Sequence, residues 1–165
     1  QEVRETMQQH LLGAFRETHV VESLPLLVKI KKALENADLE TFIELIDSLF
    51  ASIPHQLFDA KRESFFHAVL HLAFSGLGMY VASEVSTSRG RVDTVVQVRD
   101  HIYIMEFKLD ASAETALDQI RQKRYGTRFL HAEKAVIALG ISFSSQNKDV
   151  AEWKAMPYKS LLMEG

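Results

Sequence analysis

Glu106 and Lys108 close an otherwise apolar run, HIYIMEFKL at residues 101–109. If the run is a strand, its side chains alternate, so this carboxylate and this ammonium project from the same face. Burying an unpaired charge costs on the order of several kcal/mol, so a compensating group is expected. A second alternating run, RVDTVVQV at 91–98, leads through Arg99–Asp100 into the first, and two residues are enough for a hairpin turn. Such a hairpin sets Val98 opposite His101 and Asp93 opposite Glu106, with facing Cβ atoms about 4.5–5.5 Å apart. Asp93, Glu106 and Lys108 then share one small area. Facing carboxylates repel, and a shared proton, Lys108 itself or a divalent cation could each offset the repulsion. A hard cation such as Mg²⁺ takes one or two carboxylates together with waters and phosphate oxygens. With a lysine beside it, this is a workable phosphodiester-cleaving site. The metal neutralises developing charge and helps form hydroxide, and the lysine positions water or stabilises the transition state. A purely structural Asp–Lys–Glu cluster satisfies the same spacing.

The elements that must position these groups are legible as patterns. Val3, Met7, Leu11 and Phe15 fall one helical turn apart. Ser23 is expected to cap a helix over LPLLVKIKKALEN, with Pro25 in its first turn. Asp38 is expected to cap LETFIELIDSLF, in which Leu39, Phe42, Ile43, Ile46, Leu49 and Phe50 form an apolar stripe ended by Pro54. Residues 61–78 read as a further helix ended by Gly76 and Gly78. The period then changes to two, giving strands at 79–86, 91–98 and 101–109, with a TSRG turn after the first. Residues 112–130 read as a helix opened by Ser112, acidic early and basic late as the helix dipole favours. A buried strand is expected at 134–143, a polar loop at 142–147 and an edge strand at 149–156. From residue 61 the order is α-β-β-β-α-β, an α/β arrangement with helices flanking a sheet.

Composition sets the bounds. The chain has 165 residues, 47% hydrophobic and 25% charged, as for a globular domain with a proper core. A net charge of −3 excludes a strongly basic nucleic-acid binder but not a local basic patch. With no cysteine, disulfides, thiolate zinc sites and a cysteine nucleophile are excluded. No apolar run approaches the ~18 residues of a membrane span, and a cytoplasmic location without membrane contact is expected. The first residue is Gln1, so the chain is expected to be part of a longer protein. No repeat and no phosphate-binding glycine loop of the G-x-x-x-x-G-K-[ST] kind is present.

GRVD, twelve further residues and then EFK resemble the D…(D/E)-x-K signature of the PD-(D/E)-x-K nuclease superfamily. More narrowly, SEVSTSRGRVDTVVQVRDHIYIMEFKLDASAETALDQIRQKRY is similar to the nuclease-like domain at the carboxyl end of bacterial AAA-ATPase-like proteins. The similarity covers roughly residues 58–155. The resemblance implies a restriction-endonuclease-like α-β-β-β-α-β core with a mixed central sheet flanked by helices. It divides the chain into an N-terminal helical linker or extension, 1–57, and a nuclease-like domain, 58–165. It implies Mg²⁺ or Mn²⁺ held by Asp93, Glu106 and the backbone carbonyl of Phe107, with Glu63 of the first core helix as a further ligand and Lys108 as the catalytic lysine. Gln119 of the second core helix is implied near the site. Relatives space this motif Q-x-x-x-Y, whereas Gln119 and Tyr125 stand six apart here, and Val92 replaces the proline of the family name. The implied partners are nucleic acid, DNA in the first instance, an N-terminal ATPase-like domain of the same protein, and a second copy in a homodimer. A non-cleaving nucleic-acid- or partner-binding module of the same fold is the alternative.

Two other signals carry less. His67 and His71 stand one turn apart, a zinc-binding spacing without an evident third ligand. His67 also follows Glu63 by one turn and could line the site entrance. Arg121, Lys123, Arg124 and Arg128, with Arg89 and Arg91 on the turn before Asp93, are candidates for gripping phosphates. A solvated, dipole-balanced helix end explains the first four equally well.

Overall fold

A computed structural model describes residues 20–77, 80–83 and 94–164. Helices α1 (Val20–Glu35) and α2 (Leu39–Ala51) come first, then a short 3₁₀ turn at His55–Leu57 and helix α3 (Glu63–Gly76). The sheet follows as β1 (Tyr80–Ser83), β2 (Thr94–Gln97) and β3 (His101–Leu109). Helix α4 (Ala113–Lys123) and a 3₁₀ turn (Tyr125–Phe129) lead to β4 (Ala135–Ser144), β5 (Asp149–Pro157) and the short helix α5 (Tyr158–Met163). From α3 this is the expected α-β-β-β-α-β order, with β5 as the added edge strand.

The five strands lie in sequence order, antiparallel except for the parallel pair β3–β4 that α4 connects. Thr94 pairs with Met105, Val95 with Ile104, Val96 with Tyr103 and Gln97 with Ile102, the register expected from the two-residue turn. The Val98 N–H closes that turn on the His101 carbonyl at 3.0 Å.

Alternation along β3 sorts its side chains between two cores. Tyr103, Met105 and Phe107 join the larger one with Ile30, Leu34, Phe42, Ile46, Phe50, Phe66 and Phe74 of the N-terminal helices. Ile102 and Ile104 join the smaller one with Leu117 and Ile120 of α4 and Tyr158 of α5. Glu106 and Lys108 continue this second row. Gly140, paired with Glu106 across the parallel strands, lets α4 lie close to the sheet here. A Cβ on Gly140 would stand 2.6 Å from the Ala113 carbonyl oxygen.

Asp38 caps α2, its Oδ1 accepting from the Thr41 N–H at 3.3 Å, and Ser112 caps α4 by accepting from the Thr115 N–H at 3.0 Å. Three expectations are corrected. Ser23 lies inside α1 rather than capping it, because Pro25 removes one backbone bond without ending the helix. The helix expected over 112–130 stops at Lys123, where Arg124 turns left-handed (φ 48°). The chain then drops onto the sheet, with Gly126 packed against Ile104 and Tyr158 too closely for a side chain. The polar loop expected at 142–147 is half strand. Ser142–Ser144 belong to β4, and the buried Ser142 hydroxyl donates to the Ala111 carbonyl. The helix expected around residues 3–15, Gly78 and the TSRG turn lie outside the described residues.

Candidate active site

The carboxyl end of β3 brings the charges together. Glu106 is only 3% exposed because α4 crosses its face of the sheet. Its Oε1 lies 3.5 Å from the Lys108 ammonium, two residues along the same strand. Its Oε2 lies 3.8 Å from the ammonium of Lys123, in the last turn of α4. That second distance is too long for a hydrogen bond, and Oε2 is buried with no hydrogen-bond partner among the described residues. Burial pushes the Glu106 carboxyl up to about 7. The charges of Lys123 and Lys108 oppose this, and that of Glu63 adds to it.

Glu63 enters from the other side of the strand end. It opens α3, as acidic residues in a first helical turn are favoured to do, and its Oε2 accepts from the Leu109 N–H at 3.1 Å. His67, one turn on, stands edge-on to the Phe107 ring at 5.0 Å. Burial lowers the His67 pKa, while the charge of Glu63 and a hydrogen bond to the Phe107 backbone favour the imidazolium. His67 therefore belongs to the surroundings of the site, and the sequence signal for it was its one-turn spacing from Glu63 rather than from His71. His71 is half-buried, and desolvation alone lowers its pKa.

The structure thus brings Glu106, Lys108 and Glu63 to one end of β3, and adds Lys123 as an ion-pair partner of Glu106. The expectation had placed Lys123 with the surface arginines. Those residues go elsewhere: Arg121 pairs with Asp118, Arg124 is exposed, and Arg128 lies over the Phe129 ring at 4.8 Å. Gln119 is half-buried one turn before Lys123, with no side-chain hydrogen bond found among the described residues. Asp93, Arg89 and Arg91 lie outside the described residues, as does the side chain of Tyr125.

Among the described residues, no three His, Asp or Glu side chains gather closely enough to hold a metal ion. Oε2, without a hydrogen bond among the described residues, is nevertheless the kind of oxygen that a hard cation takes as a ligand. With the Glu63 carboxylate acting on it electrostatically, the donors here are oxygens, which suit a hard divalent cation better than a soft metal.

The sequence matches the family described as the PD-(D/E)XK nuclease superfamily over residues 61–153. A protein of Azotobacter chroococcum mcd 1, described only as an uncharacterized protein in the vnfD 5′ region, is 33% identical over 112 residues. That match covers 64% of this chain and 22% of the relative, so the chain spans about a fifth of that relative's length. No solved structure matches the chain.

Proposed function

The chain belongs to the PD-(D/E)XK nuclease superfamily, and on that premise we propose that it is a metal-dependent nuclease domain hydrolysing phosphodiester bonds in DNA. The carrying observation is the buried Glu106, with one oxygen that has no hydrogen bond among the described residues and two lysines beside it. Glu106, Asp93, the Phe107 carbonyl and Glu63 are the proposed ligands of Mg²⁺ or Mn²⁺. The choice of Asp93 rests on its expected position opposite Glu106 and on its place in the family signature.

When bound, the metal supplies Lewis-acid stabilisation of the phosphate and lowers the pKa of a water. Lys108, on the same strand face as Glu106, orients the attacking water and offsets charge on the phosphoryl oxygens. The water oxygen bonds to phosphorus as one P–O ester bond breaks. The products are a phosphate monoester and a hydroxyl, with the water's proton passing to the leaving oxygen. Burial of Glu106 keeps competing water away from its carboxylate and strengthens each of these interactions.

The relative is several times longer than the match, which is in keeping with a nuclease domain attached to an ATPase-like portion in a cytoplasmic protein. No helix among the described residues is long and apolar enough to cross a membrane. The non-cleaving alternative has one observation in its favour, since among the described residues Lys108 and Lys123 offset the charges of Glu106 and Glu63.

Cleavage of a fluorescein-labelled DNA duplex separates the two readings. Mg²⁺- or Mn²⁺-dependent product abolished by EDTA is expected, with Lys108→Ala lowering the rate by roughly 10²–10³-fold. Duplex binding without product under any of these conditions would favour the binding module.

A further inference from the structure

We propose that Lys123 is a second phosphate-binding lysine of the site, contacting an anionic oxygen of the strand being cut, an inference that rests on the nuclease reading above. Its ammonium faces Glu106 Oε2 at 3.8 Å, an electrostatic contact that leaves Oε2 without a hydrogen bond. Glu106 already has Lys108 at 3.5 Å on its other oxygen, and a structural ion pair needs one cation, not two. Among the described residues the local charges balance as they stand, Glu63 and Glu106 against Lys108 and Lys123.

A divalent cation on Glu106 upsets that balance. Were Glu106 and the proposed ligand Asp93 to hold it, its two charges would exceed the one further carboxylate, and the Lys123 ammonium would be repelled from Glu106. The excess of one positive charge would suit a phosphodiester, with its single negative charge. Lys123 can make the change. Its side chain is 22% exposed, it extends from the last turn of α4, and four flexible carbons separate its ammonium from the backbone. The neighbouring Arg121 is engaged by Asp118 on the same helix, so Lys123 is the member of that basic stretch aimed at the chemistry.

The test is binding of the whole chain to a fluorescein-labelled DNA duplex, followed by anisotropy across a salt series with Ca²⁺ replacing Mg²⁺ to prevent cleavage. Mn²⁺ affinity is measured in parallel by calorimetry. Lys123→Gln is expected to weaken duplex binding about 5–10-fold at low salt. It should also flatten the log–log salt dependence by roughly 0.9, the share of one phosphate contact, while Mn²⁺ binding persists. Lys123→Arg is expected to restore the slope. A wild-type affinity and slope in Lys123→Gln would overturn the inference alone. So would loss of Mn²⁺ binding in that variant, which marks Lys123 as structural. A wild-type chain that binds neither Mn²⁺ nor the duplex would overturn the nuclease reading and this inference with it.

Discussion

At the residue scale, Glu106 carries a liability that its neighbours only partly relieve. Desolvation raises its carboxyl from 4.5 to about 7 despite two nearby lysines. A carboxyl whose folded pKa exceeds its unfolded value binds a proton on folding. It therefore contributes stability below the unfolded value, and that contribution is lost as pH rises through the folded one. In metal-free buffer the native chain should lose stability between about pH 4.5 and 7 on this account. Glu106→Gln, an isostere of the neutral acid, escapes the loss. Urea unfolding with EDTA present should find the variant more stable by roughly 2–3 kcal/mol at pH 8, with the difference vanishing below pH 4.5. A variant less stable than the parent at pH 8 would show that the lysine pairing outweighs desolvation.

At the element scale, alternation along β3 and the close approach of α4 convert a sequence pattern into a site. The hairpin register was legible because a two-residue turn leaves little freedom, and period-two alternation then fixed which face Glu106 and Lys108 share. The approach of Lys123 was not legible. It depends on α4 crossing the sheet at Gly140, and no local pattern says which turn of a helix comes to rest over which strand. The end of α4 was misread for a related reason. Residues 124–130 carry helix-compatible side chains, but the contact of Gly126 with Ile104 and Tyr158 is tertiary. Gly140→Ala should test this arrangement directly. The added methyl meets the Ala113 carbonyl oxygen at 2.6 Å, a backbone atom that cannot rotate away. Thermal unfolding should report a loss of about 1–3 kcal/mol, and an unchanged midpoint would mean that α4 sits less tightly than described.

At the scale of the whole molecule, the N-terminal helices cover the face of the sheet opposite the site. The Tyr103 hydroxyl donates to the Leu34 carbonyl at 2.6 Å, the Val150 N–H donates to Asp47 Oδ1 at 2.8 Å, and Phe50 of α2 packs on Phe66 and Phe143. This backing packs against Tyr103, Met105 and Phe107 of β3, while Glu106 and Lys108 project from the other face of the strand. The net charge of −3 gives little long-range attraction for a polyanion, so under the proposed function affinity for nucleic acid would have to arise locally, from lysines and a bound cation. The most direct measurement of that claim is calorimetric titration of Mn²⁺ into the whole chain, alone and with a DNA duplex present, beside Glu106→Ala and Asp93→Ala. Binding by the parent chain that is lost in both variants is the predicted result. No binding at millimolar Mn²⁺ even with the duplex present, or binding that survives both substitutions, would contradict the account.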